Sequence, residues 1–289
     1  MGGGTVSHTS FRSYADTRGY DYDIDTGRMR GQSYTARRLD KALDPKNFKV
    51  RECCNSEEHP NTIPVILALD VTGSMGEACS EVAAALGSIT TGLYEKFKDV
   101  EFCIMGIGDL AYDHAPIQMS QFESDIRIAE SLDKVWMEKG GGGNNFESYT
   151  AAWYMGLHHT KLDCWKQGRK GIIITMGDEP LNPYLPVQYL KGVLSSCTAQ
   201  ADVETGELYK EASEKFDIFH IAVDSVHDSY SWYQGRIERS FGPLLGDRLK
   251  VSDIQNLAKT IEQCITEAVS GIADAPVVNP VNDKGEISW

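Results

Sequence analysis

Four largely apolar runs of strand length, Ile63 to Leu69, Val100 to Ile107, Lys170 to Thr175 and Phe216 to Val223, are each followed within a few residues by an aspartate: Asp70, Asp109, Asp178 and Asp224. Runs this continuous are strands buried on both faces, and helical stretches lie between them. That alternation commits the chain to βα units around a mainly parallel sheet. In such a sheet the strand ends share one edge, so the acids gather along the crevice where open α/β sheets bind ligands. An aspartate after a strand is also an ordinary turn former or helix N-cap. That explanation suffices for Asp224 and weighs equally for Asp109. Asp70 and Asp178 sit beside further polar or Gly residues that a turn does not need.

The first of these turns is the most telling. Asp70-Val71-Thr72-Gly73-Ser74 places one carboxylate and two hydroxyls at alternate positions on a tight turn. Hard oxygen donors so arranged suit a divalent cation. Behind the turn, Val82, Leu86, Ile89, Leu93 and Phe97 form the apolar face of an amphipathic helix. Ala115 to Met119 reads as a short edge strand and Ile126 to Trp136 as a helix closed by Gly140 to Gly143. Phe146 to Thr160 and Leu185 to Ser196 read as further helices, and Leu249 to Val251 as a brief last strand. Ser252 with Gln255 gives a capping-box signature for a final helix running to Ile272.

These elements delimit a domain over residues 61–273. Residues 1–60 are rich in Gly, Ser, Tyr and Arg without apolar periodicity, and are expected to be an extended or partly disordered arm; residues 274–289 are expected to be a loose tail. The net charge of −14 is unevenly spread, because residues 1–51 hold ten Lys and Arg against six Asp. An acidic body behind a basic arm excludes nucleic acid as the expected partner, since phosphate contacts need clustered cations. No apolar stretch approaches the roughly 18 residues of a membrane span. Seven cysteines, odd in number and without a Cys-x-x-Cys pair, predict a reducing, cytoplasmic setting. Cys53, Cys54 and His59 lack a fourth ligand for zinc, and adjacent cysteines share a tetrahedral site poorly.

From about Ile63 to Ile272 the chain resembles the von Willebrand factor type A (VWA) family. The metal-ion-dependent adhesion site of that family uses an Asp-x-Ser/Thr-x-Ser loop, a second loop after a Gly-rich stretch, and a third strand-end Asp. Asp70, Thr72 and Ser74 match the first loop. The second loop here offers Asn144 after Gly140 to Gly143 where the family commonly has Thr, with Asn145 and Glu147 close by. In the third, Thr175-Met176-Gly177-Asp178 puts Met176 at the acid's place and Asp178 two residues on.

The resemblance implies a three-layer, doubly wound, mainly parallel α/β sheet, Rossmann-like, with helices on both faces. It implies a cation, Mg²⁺ or else Mn²⁺ or Ca²⁺, held by Asp70, Thr72, Ser74, Asn144 and Asp178. The function it implies is non-enzymatic: the cation captures an Asp or Glu of a protein partner, which for intracellular members is often a MoxR-type AAA+ ATPase or a larger assembly. Pro180, Pro183, Tyr184 and Pro186 in one loop and Tyr230, Trp232 and Tyr233 in another are candidate anchors of the interface. Core packing explains Trp232 equally well.

Two other functions fit parts of the pattern. A structural or assembly protein with the same fold and a degenerate metal site is favoured by Met176. The Asp70 motif also looks like that of haloacid dehalogenase phosphatases, in which a strand-end Asp attacks phosphorus. There Thr72 stands where a second Asp would act as general acid and base, and Lys170 falls at the start of a strand, on the wrong edge.

Overall fold

The computed structural model describes residues 4–31, 36–138, 144, 146–224 and 230–273. Gly140 to Gly143, Asn145 and the 274–289 tail lie outside the described residues. The chain begins with α1 (His8–Arg18), β1 (Asp21–Asp23), β2 (Arg28–Arg30) and β3 (Arg51–Cys53). It continues through β4 (Ile63–Asp70), α2 (Gly76–Lys96), β5 (Val100–Ile107), β6 (Ile117–Met119), α3 (Arg127–Asp133), α4 (Thr150–His159), β7 (Thr160–Leu162) and β8 (Gly171–Gly177). The last part holds β9 (Tyr184–Leu185), α5 (Val187–Val193), β10 (Val203–Glu204), α6 (Thr205–Lys215), β11 (Phe216–Asp224), α7 (Tyr230–Leu245), β12 (Leu249–Asp253) and α8 (Leu257–Ala273).

Among the described residues, six strands form the central sheet in the order β12-β11-β8-β4-β5-β6, all parallel except β6. Alternation along β4 divides its side chains between two cores. Val65, Leu67 and Leu69 pack with α1, α2, α3 and α8, whereas Ile66 and Ala68 pack with α4, α5, α6 and α7. The result is the three-layer, doubly wound architecture that the resemblance implies, built on the mainly parallel sheet that the apolar runs predict. Among the described residues no helix is long and apolar enough to cross a membrane.

The arm departs from the extended or disordered expectation. Ser7 caps α1 by accepting from the Ser10 amide at 3.2 Å, and Gly19 ends the helix at φ 72°. Phe11, Tyr14 and Ala15 of α1, with Tyr22, Met29 and Leu43, are buried in the same core as α2. Burial is carried by a few widely spaced aromatic and apolar residues, so no periodic signal marks it. The β1–β2 hairpin lies on α2 so closely that a Cβ at Gly87 would meet the Gly27 carbonyl at 2.5 Å. Arg28 grips Glu81 with two hydrogen bonds of 2.7 Å. Arg28→Ala is expected to lower stability by about 1 kcal/mol, the scale of a partly exposed bidentate pair. Urea denaturation checks this, and faster proteolytic nicking within residues 4–31 should accompany it.

Several boundaries also move. The helix expected from Phe146 begins at Thr150, because the preceding residues form part of a loop cluster at the sheet edge. The helices expected over Ile126 to Trp136 and Leu185 to Ser196 are shorter, α3 and α5. Ser252 does not open the last helix; it is within β12, and Asp253 instead accepts from the Asn256 amide at 2.7 Å just before α8. Tyr230 to Tyr233 lie in α7 rather than a loop, and their side chains are outside those described.

Candidate metal centre

Asp70 is the last residue of β4 and shares the parity of Ile66 and Ala68, so its side chain points toward α4. The chain then turns through Thr72 and a 3₁₀ segment, Gly73–Met75, into α2. Asp70 is fully buried, and three hydrogen bonds hold its carboxylate. Oδ1 accepts from the Thr72 amide at 2.9 Å and from Thr72 Oγ1 at 2.6 Å, and Oδ2 accepts from the Tyr149 hydroxyl at 2.7 Å.

Asp178, just past the end of β8, reaches the same loop: Ser74 Oγ donates to its Oδ1 at 3.0 Å. Met176 points instead into the core beneath α2 and α8, where an acid would be buried among hydrocarbon. Asp178 is the residue of this loop whose carboxylate meets the first one. Asn144 stands apart from that cluster. Its Nδ2 donates to Asp109, whose Oδ1 also accepts from the Ala111 amide at 2.7 Å. Thus Asp70 joins Thr72, Ser74 joins Asp178, and Asn144 joins Asp109.

Three further residues were not predicted as part of the site. Glu147 is nine-tenths buried, and its Oε2 has no hydrogen-bond partner among the described residues. Glu179 follows Asp178 and also has a buried oxygen, Oε2, without a hydrogen-bond partner. Tyr149, at the N-cap of α4, donates to Asp70 and accepts from the Glu179 amide at 3.3 Å. Glu147 and Glu179 were legible as acids beside Asn144 and Asp178; nothing in the sequence marks Tyr149.

The loops are stitched together. Glu147 bridges Leu181, the Thr150 amide donates to Asn182 at 3.1 Å, and the Leu110 amide donates to Ser148 at 3.0 Å. This rigid frame holds carboxylates near one another in a poorly hydrated place. Burial, then the charge of Asp178, raises the Asp70 pKa to about 7. Burial, then the charges of Asp70, Asp113, Asp109 and Glu179, raises that of Glu147 to about 10. Burial, then Asp178, raises Glu179 to about 7, against the opposing pull of Arg236.

Among the described residues, no three Asp, Glu, His or Cys side chains form a ready-made cage for a metal ion. A cation here must therefore also draw on hydroxyls. Thr72 Oγ1 gives its proton to Asp70 and keeps lone pairs free, and Ser74 Oγ does the same toward Asp178. With crowded carboxylates and an orphaned Glu147 oxygen, the donor set is all oxygen and electron rich, which fits a hard divalent cation.

No family model matches the sequence, and no curated protein matches it. Solved structures share the fold. The pilus adhesin SpaC from Lactobacillus rhamnosus GG, in its open conformation, aligns with a TM-score of 0.50 and 10% identity over 75% of this chain. A second structure of that adhesin gives a TM-score of 0.51 at 12% identity. In both the match covers 31% of the adhesin, so the chain spans less than a third of that protein. The vWF domain of the type V pilus tip protein Mfa5 from Porphyromonas gingivalis aligns at 12% identity over 75% of this chain and 98% of that one, with a TM-score of 0.42. At these identities the likeness to SpaC is one of fold.

Proposed function

We propose that the chain is a non-enzymatic, VWA-type interaction domain. In this reading Asp70, Thr72, Ser74 and Asp178 hold a divalent cation, Mg²⁺ in the first instance, directly or through water. Glu147 joins this set, and Asn144 supports it from the rim through Asp109. The cation would supply an electrophilic point at which an Asp or Glu of a protein partner replaces a bound water. It would also neutralise acids that otherwise repel such a partner. Tyr184, 41% exposed in the two-residue strand β9 that follows β8, and Tyr112, 54% exposed in the loop after β5, are candidate side chains to flank that carboxylate.

The observation that carries this reading is the meeting of the first and third loops, Ser74 on Asp178, beside the buried and hydrogen-bonded Asp70. A phosphatase is disfavoured because Asp70 is fully buried and held by three donors, which suits a fixed ligand better than a nucleophile. Lys170 is also spent at the opposite edge, donating to the Ser213 carbonyl at 2.6 Å. Isothermal titration of the full chain with MgCl₂ tests the metal: saturable binding that Asp70→Ala abolishes is expected. Affinity capture from the native cell, with Mg²⁺ and with EDTA, tests the partner. Proteins retained equally in both, and by Asp70→Ala, would place binding elsewhere.

A further inference from the structure

We propose that Tyr149 is a positioning residue that makes the centre selective for a small octahedral cation, Mg²⁺ or Mn²⁺, over Ca²⁺; the inference rests on the metal-centre reading above. A carboxylate offers about four lone-pair positions. On Asp70, Thr72 occupies two through its amide and hydroxyl, at 2.9 and 2.6 Å on Oδ1, and Tyr149 occupies a third, at 2.7 Å on Oδ2. What remains is one lone pair on one oxygen, aimed in one direction. Asp70 therefore cannot grip an ion with both oxygens. A single, fixed oxygen suits Mg²⁺, which demands near-ideal octahedral geometry, and handicaps Ca²⁺, which takes more ligands and readily uses both oxygens of a carboxylate.

The hydroxyl that imposes this has little freedom of its own. The Tyr149 ring is fully buried, edge-on to His220 at 5.0 Å and tilted against Phe241 at 5.8 Å. Its oxygen accepts from the Glu179 amide at 3.3 Å. The space it occupies exists only because residue 177 is glycine: a Cβ there would sit 1.9 Å from the hydroxyl oxygen. Gly177 and Tyr149 thus form one device, a missing side chain that admits a hydroxyl to the buried face of Asp70.

The test is calorimetric titration of the full chain with Mg²⁺ alone and with Ca²⁺ alone, for the wild type, Tyr149→Phe and Gly177→Ala. The wild type should favour Mg²⁺. Tyr149→Phe should shift the Mg²⁺ to Ca²⁺ affinity ratio toward Ca²⁺ by about tenfold, the order expected for one hydrogen bond to a charged group. Gly177→Ala should shift it the same way by displacing the hydroxyl. Tyr149→Phe removes a single atom, so it decides the matter by itself if Gly177→Ala does not fold. A merely structural role would weaken both ions alike. An unchanged ratio in Tyr149→Phe, or a wild type that favours Ca²⁺, overturns the positioning role and leaves the metal centre standing. A wild type that binds neither ion overturns the metal centre, and this inference with it.

Discussion

Asp70→Asn is expected to produce a metal-free protein more stable at pH 8 than the wild type and yet indifferent to Mg²⁺. The amide keeps an oxygen for the Thr72 amide and hydroxyl, and its NH₂ can donate to the Tyr149 hydroxyl, so the local shape survives, although the hydroxyl proton loses its acceptor and that loss offsets part of the gain. What disappears is a fully buried charge that Asp178 repels and whose pKa is raised to about 7. Removing it should stabilise the metal-free protein by on the order of 2 kcal/mol at pH 8. The wild type should gain about 2.7 kcal/mol from Mg²⁺ at a hundred times its dissociation constant, and the variant should gain nothing. Thermal melts of both proteins in EDTA and in Mg²⁺ measure all four states. An equal Mg²⁺ shift in both would remove Asp70 from the centre.

The second large effect is on pH. Asp70 and Glu179 have folded-state pKa values of about 7, and Glu147 of about 10, all above the ordinary carboxyl range. Each therefore holds its proton more tightly when folded. The stability this contributes is fully present below about pH 4, where the unfolded carboxyls are also protonated. It is lost as pH rises through about 7 for Asp70 and Glu179, and through about 10 for Glu147. Asp125 and Glu138 act in the opposite sense: their pKa values are lowered by Arg127 and by His114 and Ala115 respectively, despite burial, so their support is lost on acidification. Metal-free protein should accordingly lose on the order of a few kcal/mol between pH 5 and pH 8. Mg²⁺ should flatten that decline, with little effect at pH 5 and its largest effect above pH 8. Urea denaturation across this range checks it. Because the acids are buried, the decline should persist at about 0.5 M salt, which would suppress it if general surface repulsion were the cause.

What could be read from the sequence follows from how local each signal is. Uninterrupted apolar runs announce β4, β5, β8 and β11, since a strand covered on both faces needs no partner to reveal itself. The Asp70 turn is contiguous, and the meeting of Ser74 with Asp178 follows from β4 and β8 being neighbours in a parallel sheet. Tyr149 was not legible because its role depends on Gly177, 28 positions away, leaving room for it. Asn144 and Asp109 come together through loops whose path no periodicity encodes. The arm gives no such signal because α1 buries only Phe11, Tyr14 and Ala15 in eleven residues, too few to raise an amphipathic pattern. The hairpin did leave a trace: Asp23 accepts from the amides of Asp25 and Thr26 ahead of Gly27 at φ 65°, a turn in which Asp23, Asp25 and Gly27 are turn formers.

The arm also changes how the molecule meets its own copies. An open sheet has two edges, and an uncovered edge is a template for strand pairing between chains. At β6 the outward main chain of Met119 is already engaged: its amide donates to the Leu43 carbonyl at 2.9 Å, and its carbonyl accepts from Arg51 at 2.7 Å. Leu43 and Arg51 thus seal that edge with groups from outside the sheet. At the other end β12 is brief and bears Val251, 49% exposed, between Lys250 and Asp253. A chain stripped of its first 51 residues would expose both edges at once, the condition for head-to-tail growth of aggregates. The segment read from composition as an extended or partly disordered arm is then the part that caps this edge of the sheet.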